Sequence, residues 1–408
     1  MSFIYSKLTS FLNIINDEFH KSFLFTTIFS ILYFIEDQWV NSFFKGLYPG
    51  ENFLSFLKKS SIIKNHIFNP LIVLIIFSAF LALSLSRISY SLTITLIIAF
   101  VFFFIGANIL PRFFLNDMKS VITFSRRDIY SIGFCLILVS IGFFFISIAS
   151  VGGIPILKPS IRYLLKPAFT MPVFLIIPGT CILASVYLKD FQDNLITRSQ
   201  VRFRFLVLLI IDIALLLTLG YRTPLLAALL LLIILGYYGN IVAVWEVVLG
   251  GLIGVGAIIG IGYFRSIHEL TVSSAIDPFY TLKSRADFTL HVLNLLDIIG
   301  GNFGTTHGQL IAWRTEVTVT PTLIGQMVAD FGKVGVAVEM CILGFILGIG
   351  FKIMRKTKDY FYIGLYSLLL TYAILGVETG LLDIQVLFYF AVAFFIYTTI
   401  ILKSIFNK

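Results

Sequence analysis

Charge is what this sequence has least of. Only 12% of its 408 residues are Asp, Glu, Lys or Arg, about half the roughly 25% usual in soluble globular domains. With 58% hydrophobic residues and a mean hydropathy of +0.98, that shortage excludes a soluble enzyme and an intrinsically disordered chain. Cysteine is scarce too: Cys135, Cys181 and Cys341 stand singly inside apolar runs. No disulfide framework or cysteine-based metal site follows from that spacing, and all three read as small core residues. Acid falls short of base, 21 residues against 30, for a net charge of +9. The basic surplus lies mostly in short connections between apolar runs, where the positive-inside rule puts it, so it needs no nucleic-acid partner. There is no P-loop, no H-E-x-x-H, no G-x-S-x-G, no internal repeat and no Pro/Gly/Ser-rich linker, which removes the common nucleotide and hydrolase chemistries. Residues 1–20 carry Asp17 and Glu18 ahead of any long apolar run, so no secretory signal is expected and the first span would direct its own insertion.

What the sequence does have is long, continuous apolar stretches. They do not alternate, which excludes a β-barrel and leaves α-helices as the spanning element. Ten segments have the required length and apolarity: 69–86, 89–110, 129–150, 170–188, 203–219, 224–238, 241–263, 334–354, 359–377 and 384–402. The expected fold is therefore all-α: a polytopic integral membrane protein of about ten transmembrane helices. The connection after the second span holds Arg112, Lys119, Arg126 and Arg127; that after the fourth holds Lys189, Arg198, Arg202 and Arg204; that after the eighth holds Lys352, Arg355, Lys356 and Lys358. All three fall on one side of a ten-span arrangement, with Lys58, Lys59 and Lys64 and both termini. That side is expected to be the cytoplasm. Residues 1–66 contain the short apolar stretch 22–35, closed by Glu36 and Asp37, and read as interfacial helices on the cytoplasmic face. Residues 67–408 read as one membrane domain.

Two connections on the other side break the pattern. The first, 151–169, carries Lys158, Arg162 and Lys166 and no acid; its basic charge suits an anionic partner, or contact with lipid headgroups. The second, 264–333, is far longer, lies between spans seven and eight, and carries Arg265, His268, Asp287, His291, His307, Arg314 and Glu316. Its apolar residues have helical spacing across 281–299, so it reads as a folded extracytoplasmic cap containing an amphipathic helix. The histidines lack metal-ligand spacing. Between the fifth and sixth spans, Gly220-Tyr221-Arg222-Thr223-Pro224 makes a very tight turn. Pro224 suits the first position of the next helix. Arg222 would either anchor to a lipid phosphate or aim its planar guanidinium into a cavity as a phosphate clamp. Three carboxylates, Asp212, Glu246 and Glu339, fall within spans; each reads as a partner for a neighbouring Ser, Thr or Arg, or as a proton-coupling group. Glu378 and Asp383 occupy the short turn before the last span, on the side of the long loop, and are placed to pair its arginines.

The run Thr320-Pro321-Thr322-Leu323-Ile324-Gly325-Gln326-Met327-Val328-Ala329-Asp330-Phe331-Gly332-Lys333-Val334-Gly335 resembles a stretch leading into a late span of the oligosaccharide repeat unit polymerases. These belong to the O-antigen polymerases and are related to the O-antigen ligases. The turn GYRTPLL at 220–226 is similar to an Arg-bearing turn of the same family, and Arg314 and Gly325 have its Arg-x10-Gly spacing. The resemblance implies a membrane glycosyltransferase that polymerises polyprenyl-diphosphate-linked repeat units into a surface polysaccharide on the extracytoplasmic face. It implies no nucleotide sugar, and with the histidine spacing no metal or other cofactor is expected. Expected partners are the lipid-linked oligosaccharide, membrane lipids, and the flippase and chain-length regulator of the same pathway. Under this resemblance Arg222, Arg265 and Arg314, with Arg162 as a fourth, are the diphosphate-binding candidates. His307 is the first candidate for the base that takes the acceptor's proton, followed by Glu316 and Asp287. An O-antigen-ligase-like transfer, or a lipid-linked oligosaccharide flippase, remains the alternative.

Overall fold

The structure is a computed structural model that describes residues 67–114, 126–162, 164–269, 278–301, 322–380, 386 and 388–393. The interfacial helices expected over 1–66, most of the last span, and His307, Arg314 and Glu316 lie outside the described residues. Among the described residues every regular element is helical. Helix α1 is Ile72–Ala82 and α2 is Tyr90–Phe104, continued by a π-helical turn, Ile105–Ile109, into Leu110–Phe114. Helix α3 is Arg126–Val151. Short turns of helix, Pro159–Arg162, Pro167–Thr170 and Met171–Leu175, lead into α4, Ile176–Gln192. Then come α5 (Arg198–Thr218), α6 (Arg222–Tyr238), α7 (Val244–Glu269), α8 (Pro278–Ile299), α9 (Gly325–Thr357) and α10 (Tyr360–Thr379).

Among the described residues, five helical stretches are long and apolar enough to cross a membrane: Tyr90–Phe113, Ile129–Val151, Pro167–Gln192, Gly325–Thr357 and Tyr360–Thr379. They match five of the ten expected spans. Three shorter apolar helices, Ile72–Ala82, Arg222–Tyr238 and Val244–Gly254, fall where others were expected. The expected helix over 281–299 is α8. Pro159 and Pro167 each begin a short helical turn, where a missing N–H costs nothing.

Local chemistry sets the helix starts. Ser89 caps α2 by accepting from the Leu92 amide, Thr197 and Gln200 form a reciprocal capping box on α5, and Asp359 accepts from the Phe361 amide on α10. Helix α4 is the centre of the bundle, packing against α3, α5, α6 and α10. Its Thr180 donates to Asp212 of α5 at 2.9 Å, both side chains being fully buried. So one of the intra-span carboxylates has the Thr partner expected of it. Glu246 has the Arg: it pairs with Arg202 at 3.2 Å, while Arg198 and Arg202 both donate to the Ile241 carbonyl just beyond the end of α6.

Helices α2 and α9 meet almost backbone to backbone. A β-carbon on Gly344 would lie 2.4 Å from the Phe103 carbonyl oxygen, one on Gly348 2.3 Å from that of Ala107, and one on Gly106 2.1 Å from that of Cys341. The π-helical turn of α2 lies against this crossing, the kind of local widening that lets a helix accommodate a close neighbour. Cys181 is buried, but Cys341 is only half-buried and Cys135 is exposed on α3. The core expectation fails for Cys135 because an apolar run in lipid has an apolar exterior as well, so hydrophobicity no longer marks the inward face.

Candidate active site

The turn between α5 and α6 is built by its glycine. Gly220 takes φ +74°, and the Tyr221 amide reaches back to the Leu216 carbonyl at 3.3 Å, closing a Schellman motif in which only glycine sits without strain. Tyr221 is extended and α6 starts at Arg222. Pro224 is thus the third helical residue, not the first; it is still inside the turn whose amides have no intrahelical partner. The connection 151–169 folds over this turn. The Ile156 amide donates to the Thr218 carbonyl at 3.2 Å, and Leu165, Val173 and Leu219 bury together beside Tyr221.

Two of the arginines singled out in the sequence meet here. The Arg222 guanidinium pairs with Glu378, in the last turn of α10, through Nη2 and Oε1 at 3.1 Å. The side chains are 13% and 23% exposed, so the pair sits at the rim of the bundle and not in its core. Arg162 lies over the other flank of the turn, its Cζ 4.8 Å from the centre of the Tyr221 ring, a cation–π contact. Glu378 was expected to pair an arginine of the long loop, whose Arg314 lies outside the described residues; among the described residues it pairs with the arginine of the tight turn. Tyr221 carried no signal in the sequence, yet its ring is what holds Arg162.

The remaining candidates fall differently. Arg265 lies on the backbone of α7, against which the short helix Pro159–Arg162 packs. Asp287 projects from α8 toward the α1–α2 connection, where its carboxylate accepts from the Ser84 hydroxyl. Asp297, further along α8, accepts from the buried Thr95 at 2.6 Å. The backbone amide of Ser89 donates to Asn294 at 3.2 Å. Together these contacts fasten α8 to the start of α2. Among the described residues, no group of three His, Cys, Asp or Glu converges as a metal site would require.

The Thr320–Gly335 run enters α9 with a break. Gly332 has φ +62° and ψ −148°, outside the helical region, and divides the helix into a short entering turn and a long body. The end of α8 crosses at the break: the Gly301 amide donates to the Ala329 carbonyl at 3.2 Å. Lys333, next after the break, donates to Ser91 at 3.1 Å. Sequence pattern alone cannot reveal this, since Phe331-Gly332-Lys333 is compatible with either a loop or a helix.

An apolar cleft of about 320 Å³ opens between α9, α10 and residues 386–393. Ile342, Ile346, Leu365 and Phe390 line it, with Glu339 and Gln326 as its polar groups and Tyr372 and Tyr389 in its wall. Tyr372 donates to the Tyr389 hydroxyl at 3.1 Å, and Tyr389 donates to the Phe174 carbonyl at 2.7 Å. The Phe174 ring meets Tyr221 edge-on at 5.2 Å between centroids. A continuous set of contacts therefore joins the apolar cleft to the turn bearing Arg222. Chemically, the arrangement offers guanidinium groups for an anion, linked through Phe174 and Tyr389 to a surface suited to a hydrocarbon chain.

The chain is similar to uncharacterized protein MJ0419 of Methanocaldococcus jannaschii, 25% identical over 329 residues, covering 75% of this chain and 87% of that protein. No solved structure matches it. The family model of the O-antigen polymerases matches residues 66–314 and 305–390, taking in the Tyr221–Arg222 turn, the long connection and the broken entry to α9. This multi-pass helical chain, with its membrane-length apolar helices, belongs to the O-antigen polymerase family.

Proposed function

We propose that the protein is a glycosyltransferase of the cell membrane that polymerises polyprenyl-diphosphate-linked oligosaccharide repeat units on the extracytoplasmic face. The observation that carries the reading is the gathering of Arg222, Glu378, Tyr221 and Arg162 at one turn, which Phe174 and Tyr389 join to the wall of an apolar cleft. The full arrangement is a ten-span bundle with both termini cytoplasmic and residues 264–333 as an extracytoplasmic cap. The basic connections 112–127, 189–204 and 352–358 support that orientation through the positive-inside rule.

In this reading an acceptor hydroxyl oxygen attacks the anomeric carbon of the donor. The bond from that carbon to the diphosphate oxygen breaks, and the lipid diphosphate leaves with the electron pair. Arg222, joined by Arg162, Arg265 and Arg314, stabilises the charge that develops on the leaving oxygens, a role for which preorganised cations are worth most. Arginine suits it because its fork stays protonated and contacts two phosphate oxygens at once. The proton of the acceptor hydroxyl passes to a base at the same surface, with His307 first and Glu316 and Asp287 after it. The flippase and the chain-length regulator of the pathway are the expected protein partners.

The test is purified protein in lipid given a polyprenyl-diphosphate oligosaccharide. A ladder of longer lipid-linked glycans with released polyprenyl diphosphate supports the polymerase. Transfer of a single glycan to another acceptor, without a ladder, would make it a ligase. Substrate crossing liposomes without turnover would make it a flippase.

A further inference from the structure

Arg222 already holds an anion. It stands at the first position of α6, whose Tyr221 N-cap makes no side-chain hydrogen bond, while Glu378 stands in the last turn of α10, one residue before the helix ends at Thr379. Each charge therefore opposes its own helix: a cation at a positive N-terminus and an anion at a negative C-terminus. The pair offsets that cost for both, and for Arg222 a ligand of negative charge would do the same. The pair is partly open to the exterior, at 13% and 23% side-chain exposure, so a ligand reaches it without unpacking the bundle. It also joins one guanidinium nitrogen to one carboxylate oxygen, whereas a phosphate group can engage the fork with two oxygens. Arg162 is held differently, by the face of the Tyr221 ring, and needs to give up no carboxylate to meet an anion.

We propose that Glu378 is a positioning residue that occupies the place of a donor phosphate on Arg222, so that binding the lipid diphosphate is an exchange of one anion for another. The inference rests on the reading of Arg222 as a diphosphate clamp. With the site empty, Glu378 keeps the Arg222 fork ordered at the rim and prevents it from capturing phosphates of bulk lipid. On binding, Arg222 passes to the diphosphate, and Glu378 swings away by side-chain rotation about its three χ angles, with α10 unmoved. The cost is apparent affinity: a ligand binds more weakly in proportion to the fraction of molecules in which its place is taken.

The experiment measures binding of farnesyl diphosphate to the full-length protein in lipid nanodiscs, for the wild type, Arg222→Ala, Glu378→Gln and Glu378→Ala. Thermal unfolding of each variant is followed in parallel. Removing the internal anion should tighten binding about five- to tenfold in both Glu378 variants, the tenfold limit corresponding to Glu378 holding Arg222 in about nine molecules of ten. Arg222→Ala should lose the binding. In turnover with a lipid-linked donor, Glu378→Gln should lower KM without raising kcat, a split that mere support of the fold would not give. If Arg222→Ala loses binding while the folded Glu378 variants bind unchanged or more weakly, the exchange is refuted and the clamp survives. If Arg222→Ala binds as the wild type does, the clamp itself falls and the exchange falls with it. Failure of both Glu378 variants to fold would also refute it, since a displaceable pair cannot be a support of the bundle.

Discussion

Replacing Gly344 by alanine tests the description of the helix crossing on which the membrane bundle depends. The added methyl would lie 2.4 Å from the Phe103 carbonyl oxygen and 2.9 Å from the Ala107 nitrogen, both backbone atoms. Real β-carbons essentially never come within 3.0 Å of such atoms. Helices α2 and α9 must therefore separate by some tenths of an ångström to an ångström along a contact that also includes Gly106 and Gly348. Overpacking of this kind costs roughly 1–3 kcal/mol, against a gain of about 1 kcal/mol from the better helix propensity of alanine. Gly142 of α3 supplies the control, because a methyl there meets nothing within 4 Å and only the propensity gain remains. The assay is the midpoint of thermal or denaturant unfolding in detergent, read for wild type, Gly344→Ala and Gly142→Ala. Gly344→Ala should fall below the wild type and Gly142→Ala should match or exceed it, a separation of about 1–3 kcal/mol. Equal stability of the two variants would refute the close crossing.

Three further outcomes are expected. Arg222→Ala and Arg314→Ala should each lower polymerisation by about a hundredfold or more while the protein still inserts, as loss of a charge-stabilising donor does; lysine at either position should restore it incompletely, and full activity of both alanine variants would overturn the clamp. Arg126→Ala should cost about 2 kcal/mol in unfolding, because it strands Asp190, whose side chain is 4% exposed and is gripped at 2.6 and 2.7 Å by a half-exposed guanidinium; an unchanged midpoint would show that the pair contributes nothing. Thr180→Val should cost about 1 kcal/mol, since the second carboxyl oxygen of Asp212 has no hydrogen-bond partner among the described residues; a stability gain would show that Asp212 is satisfied in another way.

Much of the bundle was legible because a membrane span is written as an uninterrupted apolar run. Five of the expected spans recur as long helices, and α8 falls where helical spacing placed it. What escaped depends on the side of a helix that faces a neighbour. Cys135 and Cys181 look alike in sequence, but one is exposed on α3 and the other is buried against Gly364 of α10. The break at Gly332 also escaped, since a glycine between Phe331 and Lys333 carries no mark of its dihedral angles. At the candidate site, Arg222 and Arg162 stood out as bases on the unexpected side of the charge pattern. Their companions did not: Tyr221 is one aromatic among many, and the pairing of Glu378 with Arg222 across the bundle is not written in the spacing of either. Residues 162, 221 and 378 are brought together only by the packing of the connection 151–169 and of α10 around one turn.

The brevity of that turn has an evolutionary consequence. Connections between helices ordinarily accept insertions and deletions with little penalty. Here Gly220 and Tyr221 are all that separates Thr218 and Leu219 from Arg222, and α6 begins with the proposed clamp side chain itself. One residue added inside α6 ahead of Pro224 would turn everything before it by about 100° about the helix axis. It would point Arg222 away from Glu378 while leaving each helix intact and apolar. Length at 219–224 is thus part of the site's specification, as much as the identity of the arginine. If Arg222 is the phosphate clamp proposed above, a relative that changes the spacing there should have moved the corresponding arginine to another element.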